Sequence, residues 1–260
     1  MKKFLRFTVE QRVTTVAAAW VFYFLTALLP LVFLLITAFG VFRVDLTAEL
    51  VTKLPEELRA AGEVIVRTAE NASGGITAFF FATVFFSGSA LLNQMIKDVE
   101  HFYGAFAERK GGVIRRLLSL GALGVLFIAF LAVALIIAFG SKIITFTGLT
   151  GENNIFIKIL GYLIVIVLIY GIIILLNAVT ASVKLSFSEL LTGAFVALAV
   201  TVLGSLAFML YIRFFNNYNR LYGSLAAVIV FLLWSYIVML GIAFGAATSA
   251  YLHTRGKNKE

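Results

Sequence analysis

Six apolar runs dominate this chain, and each is long enough to cross a lipid bilayer as a helix. The hydrocarbon core of a bilayer is about 30 Å thick and needs roughly 20 apolar residues per helical crossing. The runs cover residues 13–42, 76–96, 117–141, 155–181, 189–212 and 222–252. The chain is 62% hydrophobic and 13% charged, whereas soluble domains carry about a quarter charged residues. We therefore predict an all-α, polytopic membrane protein with a six-transmembrane-helix bundle in residues 13–252, a lead-in at 1–12 and a tail at 253–260.

The distribution of charge predicts the orientation of the bundle. The chain carries 21 Lys and Arg against 13 Asp and Glu, a net charge of +8. If the N-terminus lies inside, the inner segments hold thirteen of these cations and the outer segments eight. Because cytoplasmic loops are enriched in Lys and Arg, we expect both termini in the cytoplasm. The inner cations then have anionic lipid head groups as partners, and no nucleic-acid partner is required.

Two flanking segments are predicted to form amphipathic helices. The N-terminus resembles a secretory signal, but the uncharged run from Val13 to Phe42 far exceeds the 7 to 15 residues of a signal's apolar region. We expect a retained first span, with residues 1–12 lying on the inner membrane surface. Residues 43–75 place acids among leucines and end in Asn-Ala-Ser-Gly-Gly, which predicts an extracytoplasmic helical hairpin. A plain linker is the alternative.

Pro30 is the first feature within the spans that has a mechanical consequence. It lacks the N–H that would bond the carbonyl of Thr26, so we predict a kink in the first membrane helix. Transporters use broken helices to line cavities, but proline is also common in inert membrane helices. Both interpretations stay open.

Small residues recur at four-residue steps in the last two spans. They are Gly193, Ala197, Thr201, Ser205, Gly241, Gly245 and Ser249. Such stripes let helices approach closely, and van der Waals contact then holds the helices together in lipid. We predict helix packing along both stripes, within one chain or in a homo-oligomer, rather than a substrate passage.

Polar side chains form two candidate groups near the ends of the spans. The inner group is Asn93, Gln94, Lys97 and Asn177, and the outer group is Arg213, Asn217, Tyr218 and Arg220. Asn93 and Lys97 are four residues apart and share a helix face, so they can present an amide and an ammonium to an anionic head group. Alternatively, the inner amides bond between helices while Lys97 reaches the lipid surface. The outer group suits either the mouth of a pathway or an interfacial anchor.

Residue types needed for catalysis are scarce. The chain has no Cys and two isolated His residues, which removes thiolate chemistry and the usual metal-ligand clusters. It also lacks a Walker A motif and a serine triad arrangement. We therefore predict no catalytic residues, no metal and no cofactor, and hence a protein that is not an enzyme.

Four stretches of the chain form a pattern that resembles one known protein family. The first span, AAAWVFYFLTALLPL, is similar to the family's aromatic-rich helix that ends in small-Leu-Phe-Pro. The stretch LLNQ at 91–94 is similar to a Leu-Asn step, and LLTGA at 190–194 to a leucine-proline-glycine-alanine motif. YGSLAA at 222–227, followed by LWSY and Leu240-Gly241, looks like the family's closing signature. Ala27 stands where the pattern leads us to expect Ser, and Thr192 where many members have Pro.

These stretches resemble the YihY/BrkB family of bacterial inner-membrane proteins. The resemblance implies a six-helix protein of the bacterial cytoplasmic membrane. Such proteins have been called virulence factors for serum resistance and once a tRNA-processing ribonuclease, a role that the residue inventory makes unlikely for this chain. Export or flipping of envelope molecules has also been suggested for them. We predict a transporter, exporter or flippase-like protein for an amphiphilic or anionic envelope molecule. A non-transporting scaffold for envelope assembly is the alternative.

Overall fold

The computed structural model describes residues 2–41, 67, 74–108, 111–146, 155–214 and 225–257. All regular secondary structure within these ranges is helical, which confirms the all-α class. The helices are α1 (Lys2–Glu10), α2 (Val13–Val41), α3 (Gly74–Tyr103), α4 (Gly112–Phe146), α5 (Ile155–Thr180), α6 (Phe187–Phe214) and α7 (Leu225–Lys257). A short 3₁₀ turn, Gly104–Phe106, follows α3.

Five of these helices contain stretches long and apolar enough to cross a membrane. The stretches are Val13–Leu34, Gly74–Phe106, Gly112–Ala129, Phe187–Phe214 and Val228–Lys257. The helix α5 adds a shorter apolar stretch, Ile166–Thr180. The polytopic class is therefore confirmed, whereas the count of six spans stays a prediction. The hairpin predicted for residues 43–75 lies almost entirely outside the described residues.

The amphipathic helix α1 packs beside the C-terminal turns of α7. The rings of Phe4 and Phe7 each lie 5.5 Å from the ring of Tyr251, measured between centroids. Leu5 and Val9 are exposed on the remaining surface of α1, as suits a helix at a membrane surface. We call this end of the bundle, where α1 meets Tyr251, the inner end, because the charge distribution predicts that it is cytoplasmic.

The main core lies where α2, α3 and α7 meet, toward the inner end. Its largest fully buried side chains are Trp20, Tyr103, Phe102, Val13 and Val99. The facing surface of α7 is rich in alanines, of which Ala243, Ala247 and Ala250 are completely buried. Small residues on one helix and large ones on its neighbours give close packing without voids.

Pro30 is buried within α2, and the helix continues on both sides of it. The hydroxyl of Thr26 donates a hydrogen bond to the carbonyl of Tyr23, at 2.8 Å. The predicted kink stays a prediction.

The small-residue stripes of α6 and α7 meet along one contact, which we call the α6–α7 seam. A Cβ placed on Gly193 would lie 2.8 Å from the carbonyl oxygen of Gly245, and one on Gly245 would lie 2.7 Å from that of Gly193. A Cβ on Gly241 would lie 2.9 Å from the carbonyl of Ala197 and would also meet the side chain of Thr201. The backbones therefore touch at positions where any side chain is too large. The remaining stripe residues are Ser249, which is buried, and Ser205, which is half-buried.

Candidate functional site

A charged cluster links α3 to α4 near the inner end. Arg115 Nε donates to Asn93 Oδ1 at 3.1 Å, and a terminal nitrogen of the same guanidinium donates to Glu100 Oε2 at 3.0 Å. The side chains of Arg115 and Glu100 are only 17% and 10% exposed. Because ions this far from water are stabilised mainly by each other, the three residues act as one unit.

A second cluster links α2 to α3. The indole Nε1 of the buried Trp20 donates to Asp98 Oδ2 at 2.7 Å, and the amide of Gln94 donates to Asp98 Oδ1 at 3.0 Å. The Asp98 carboxylate thus accepts from two donors, and its bond to the indole satisfies the polar tip of Trp20 and links α2 to α3. Lys97, which lies between these residues in sequence, is exposed. Asn93 and Lys97 therefore have different surroundings, one bonded between helices and one facing outward.

Asn177 stands apart from the other predicted residues of the inner group. It is 3% exposed near the inner end of α5. Among the described residues, neither its amide nitrogen nor its amide oxygen has a hydrogen-bond partner. An unpaired buried amide costs about 1–3 kcal/mol judged from mutational data. Such a group is an exception among buried polar atoms, and a bound water or ligand is one explanation for it.

An open pocket lies between the two connections at the inner end. It has a volume of about 400 Å³ and is bounded by the α3–α4 connection at Glu108 and by the α5–α6 connection at residues 181–185. The backbone N–H of Glu108 donates to the carbonyl of Ser182 at 3.2 Å and holds the two connections together. Lys184 and Glu108 supply opposite charges, and Ala178 and Leu190 supply apolar walls.

The start of α6 is tied to the end of α7 by one acidic residue. Ser186 and Glu189 form a capping box, in which the Ser186 N–H donates to the Glu189 carboxylate at 2.8 Å and the Glu189 N–H donates to the Ser186 hydroxyl at 3.3 Å. The same carboxylate lies 3.3 Å from Nδ1 of His253, and the Ser249 hydroxyl donates to the Glu189 carbonyl at 3.1 Å. These contacts fix the inner end of the α6–α7 seam.

The outer group falls mostly outside the described residues. Arg213 is exposed in the last turn of α6, whereas Asn217, Tyr218 and Arg220 lie in the undescribed stretch that follows. The structure therefore bonds Asn93 to Arg115 on α4 and Gln94 to Asp98 on α3. It places Asn177 on α5 and leaves Lys97 and Arg213 at the surface.

Several polar residues at the inner end were not singled out from the sequence. These are Trp20, Arg115, Glu108 and Ser182. In the sequence, Arg115 and Glu108 are charged residues beside the apolar runs, and their partners lie on other elements. A tryptophan within an apolar run offered one usable signal, because a buried indole N–H needs an acceptor.

Within the described ranges, no three His, Cys, Asp or Glu side chains form a group that could hold a metal ion. The helices instead define the class: an integral, all-α membrane protein with several apolar crossings. Residues 4–260 match the family model described as Virulence factor BrkB. The chain belongs to the BrkB virulence factor family.

Named relatives support this assignment. The chain is 25% identical over 265 residues to the ribonuclease-like protein YfkH of Bacillus subtilis, a match that covers 98% of this chain and 94% of YfkH. It is 27% identical over 204 residues to a UPF0761 membrane protein of Vibrio cholerae, covering 75% of this chain and 66% of that protein. A UPF0761 membrane protein of Coxiella burnetii is 35% identical over 83 residues, covering 32% and 30%. No solved structure matches this chain.

Proposed function

We propose that this protein moves an amphiphilic, anionic envelope molecule across the bacterial cytoplasmic membrane, as a transporter, exporter or flippase-like protein without enzymatic activity. Both termini lie in the cytoplasm in this proposal, because the excess of Lys and Arg at one end of the bundle follows the positive-inside rule. An anionic substrate would be concentrated at that inner end before it enters the bundle.

The observation that carries the proposal is the buried amide of Asn177 without a hydrogen-bond partner among the described residues. Polar groups at membrane depth usually face a bundle interior, a water-filled cavity or a substrate pathway. An inert bundle would gain stability if this asparagine were replaced by leucine, because the desolvation cost of the unpaired amide would disappear. A residue that lines a transport pathway is expected to be polar even where this lowers the stability of the bundle.

The test compares transport with stability in the same variant. The purified full-length chain is reconstituted in vesicles with a fluorescent phosphatidylglycerol as the anionic probe, and the rate at which the probe changes leaflet is measured. We expect Asn177→Leu to lower this rate at least about tenfold, equivalent to ~1.4 kcal/mol in the barrier. We expect the variant to unfold at the same temperature as the unsubstituted chain or at a higher one.

The matched control is Thr192→Val, which replaces a polar group by an apolar one at an exposed position on α6. It should leave the rate of probe movement unchanged. If the probe changes leaflet as fast with Asn177→Leu as with the unsubstituted chain, Asn177 does not line a pathway. A large loss of stability in that variant would show that the amide has a structural partner instead.

A scaffold is the second candidate, and the α6–α7 seam favours it. Backbone contact along this seam leaves no space for a substrate between the two helices. A scaffold predicts that vesicles containing the chain move the probe no faster than protein-free vesicles. It also predicts that chemical cross-linking in cells recovers one stable stoichiometric complex.

A further inference from the structure

We propose that the pocket between the two inner connections binds the head group of a zwitterionic phospholipid of the phosphatidylethanolamine type. The phosphate would contact Lys184 and the hydroxyl of Ser182, and the ammonium would contact Glu108. This site is a binding site in its own right, so it goes beyond the proposed transport and can be tested without it.

Ser182 supplies the first argument, because it lines the pocket and its hydroxyl has no partner within the described ranges. The residue is 3% exposed, and Oγ makes no hydrogen bond to any described residue. A serine hydroxyl is a strong donor to a phosphate oxygen, and a hydrogen bond to a charged group is worth more than a neutral one. Its backbone carbonyl is already bonded to the N–H of Glu108 at 3.2 Å, so the position of Ser182 is fixed by the other connection.

The charges on the pocket supply the second argument. Lys184 and Glu108 line the same pocket, both are exposed, and neither forms an ion pair within the part of the chain that the structure describes. A cation and an anion that share a pocket without pairing match a ligand that carries both charges a short distance apart. Phosphoethanolamine has this form, with a phosphate and an ammonium joined by two carbons. A purely anionic head group would meet repulsion from the Glu108 carboxylate.

The position of the pocket supplies the third argument, because it identifies a lipid rather than a soluble compound. Ala178 and Leu190 form its apolar side and belong to α5 and α6, which continue into the predicted membrane span. An acyl chain can therefore follow these helices while the head group stays between the connections. Pockets between membrane helices are known sites for lipid head groups, and the volume of about 400 Å³ falls within the usual range of ligand pockets.

The experiment measures binding by titration calorimetry on the purified full-length chain in detergent. The probes are dihexanoyl phosphatidylethanolamine, dihexanoyl phosphatidylglycerol and free phosphoethanolamine. We expect the first probe to bind at least about tenfold more tightly than either of the others. Lys184→Gln should weaken its binding about tenfold, and Glu108→Gln should abolish the preference for it over phosphatidylglycerol.

The matched controls remove one positive and one negative charge at other positions of the inner end. They are Lys3→Gln and Glu10→Gln, both at exposed positions on α1, and both should leave the affinity unchanged. Ser182→Ala should weaken binding about fivefold while its unfolding temperature stays equal or rises, because an unpaired buried hydroxyl has been removed. This variant separates a binding defect from a folding defect.

Three results would overturn the proposal. One is equal or tighter binding of phosphatidylglycerol by the unsubstituted chain, and another is the same affinity in Lys184→Gln as in Lys3→Gln. The third is binding of free phosphoethanolamine as tight as that of the lipid. The calorimetric experiment does not measure transport. Failure of lipid binding at the pocket and failure of transport through Asn177 are therefore detected in separate assays.

Discussion

Replacing Gly245 with alanine tests whether the α6–α7 seam holds the bundle together. The new Cβ would lie 2.6 Å from the Cβ of Ala197 and 2.7 Å from the carbonyl oxygen of Gly193. Neither neighbour can rotate away, because one atom belongs to the backbone and the other is attached directly to it. The two helices must therefore move apart.

The size of the effect follows from that displacement. Ordinary contact begins near 3.4 Å, so a pair at 2.6 Å needs about 0.8 Å of separation. A gap of this size removes roughly a quarter to a half of the dispersion energy of the atoms that lose contact, and such contact is the main attraction between helices in lipid. We expect a loss at the upper end of the usual overpacking range, about 3 kcal/mol. For a chain of this size that corresponds to a fall in unfolding temperature of roughly 6–12 °C.

The assay is thermal unfolding of the purified chain in detergent, followed by circular dichroism. The control is Gly124→Ala on α4, where an added Cβ meets nothing within 4 Å. It should be neutral or slightly stabilising, because alanine favours a helix by up to about 1 kcal/mol over glycine. Combining Gly245→Ala with Ala197→Gly should recover part of the loss, since one of the two clashes is relieved. A fall in Gly245→Ala no larger than that in Gly124→Ala would refute the close approach of the two backbones.

Two further predictions concern the polar clusters at the inner end, and thermal unfolding in detergent checks both. Trp20→Phe removes one of the two side-chain donors to Asp98 and should cost about 1–3 kcal/mol. Trp234→Phe, at a residue that is 42% exposed, should change stability little, and equal effects in these two variants would contradict the prediction. Arg115→Gln leaves Glu100 without its cation and should cost about 3–5 kcal/mol. Joint replacement of Arg115 and Glu100 by leucine should cost less, and a larger loss in the double variant would show that the pair itself contributes net stability.

The positions of the membrane helices follow from the sequence, whereas their ends do not. The apolar run at 76–96 lies within α3, but the helix continues to Tyr103. Hydropathy marks where a segment can be solvated by lipid, whereas a helix ends where its backbone hydrogen bonds end. The polar turns that carry Lys97 and His101 keep these bonds and stay helical outside the apolar run.

The partners of the inner polar residues show a second limit of prediction from the sequence. The hydrogen bond between Gln94 and Asp98 can be predicted, because the two residues are four positions apart on one helix. The bond from Trp20 to Asp98 spans 78 positions and depends on how α2 packs on α3, which periodicity does not specify. The Ser186 and Glu189 capping box follows the Ser-x-x-Glu pattern and could have been predicted. That Asn177 has no hydrogen-bond partner in the described part of the chain is visible only in the assembled helices.

Both proposals involve α5, because this helix carries Asn177 and its inner turns border the pocket. Ala181 directly follows α5, its N–H donates to the carbonyl of Asn177 at 3.1 Å, and it lines the pocket. The contact of α5 with α6 is made by Ile173 against alanines and by the Tyr170 hydroxyl, which donates to the carbonyl of Leu191 at 2.9 Å. This contact is easier to shift than the α6–α7 seam, because it depends on side chains rather than on touching backbones. If the lipid binds and no transport is observed, the pocket is an anchor for the inner end of α5. If transport persists in Lys184→Gln, the substrate reaches Asn177 without entering the pocket.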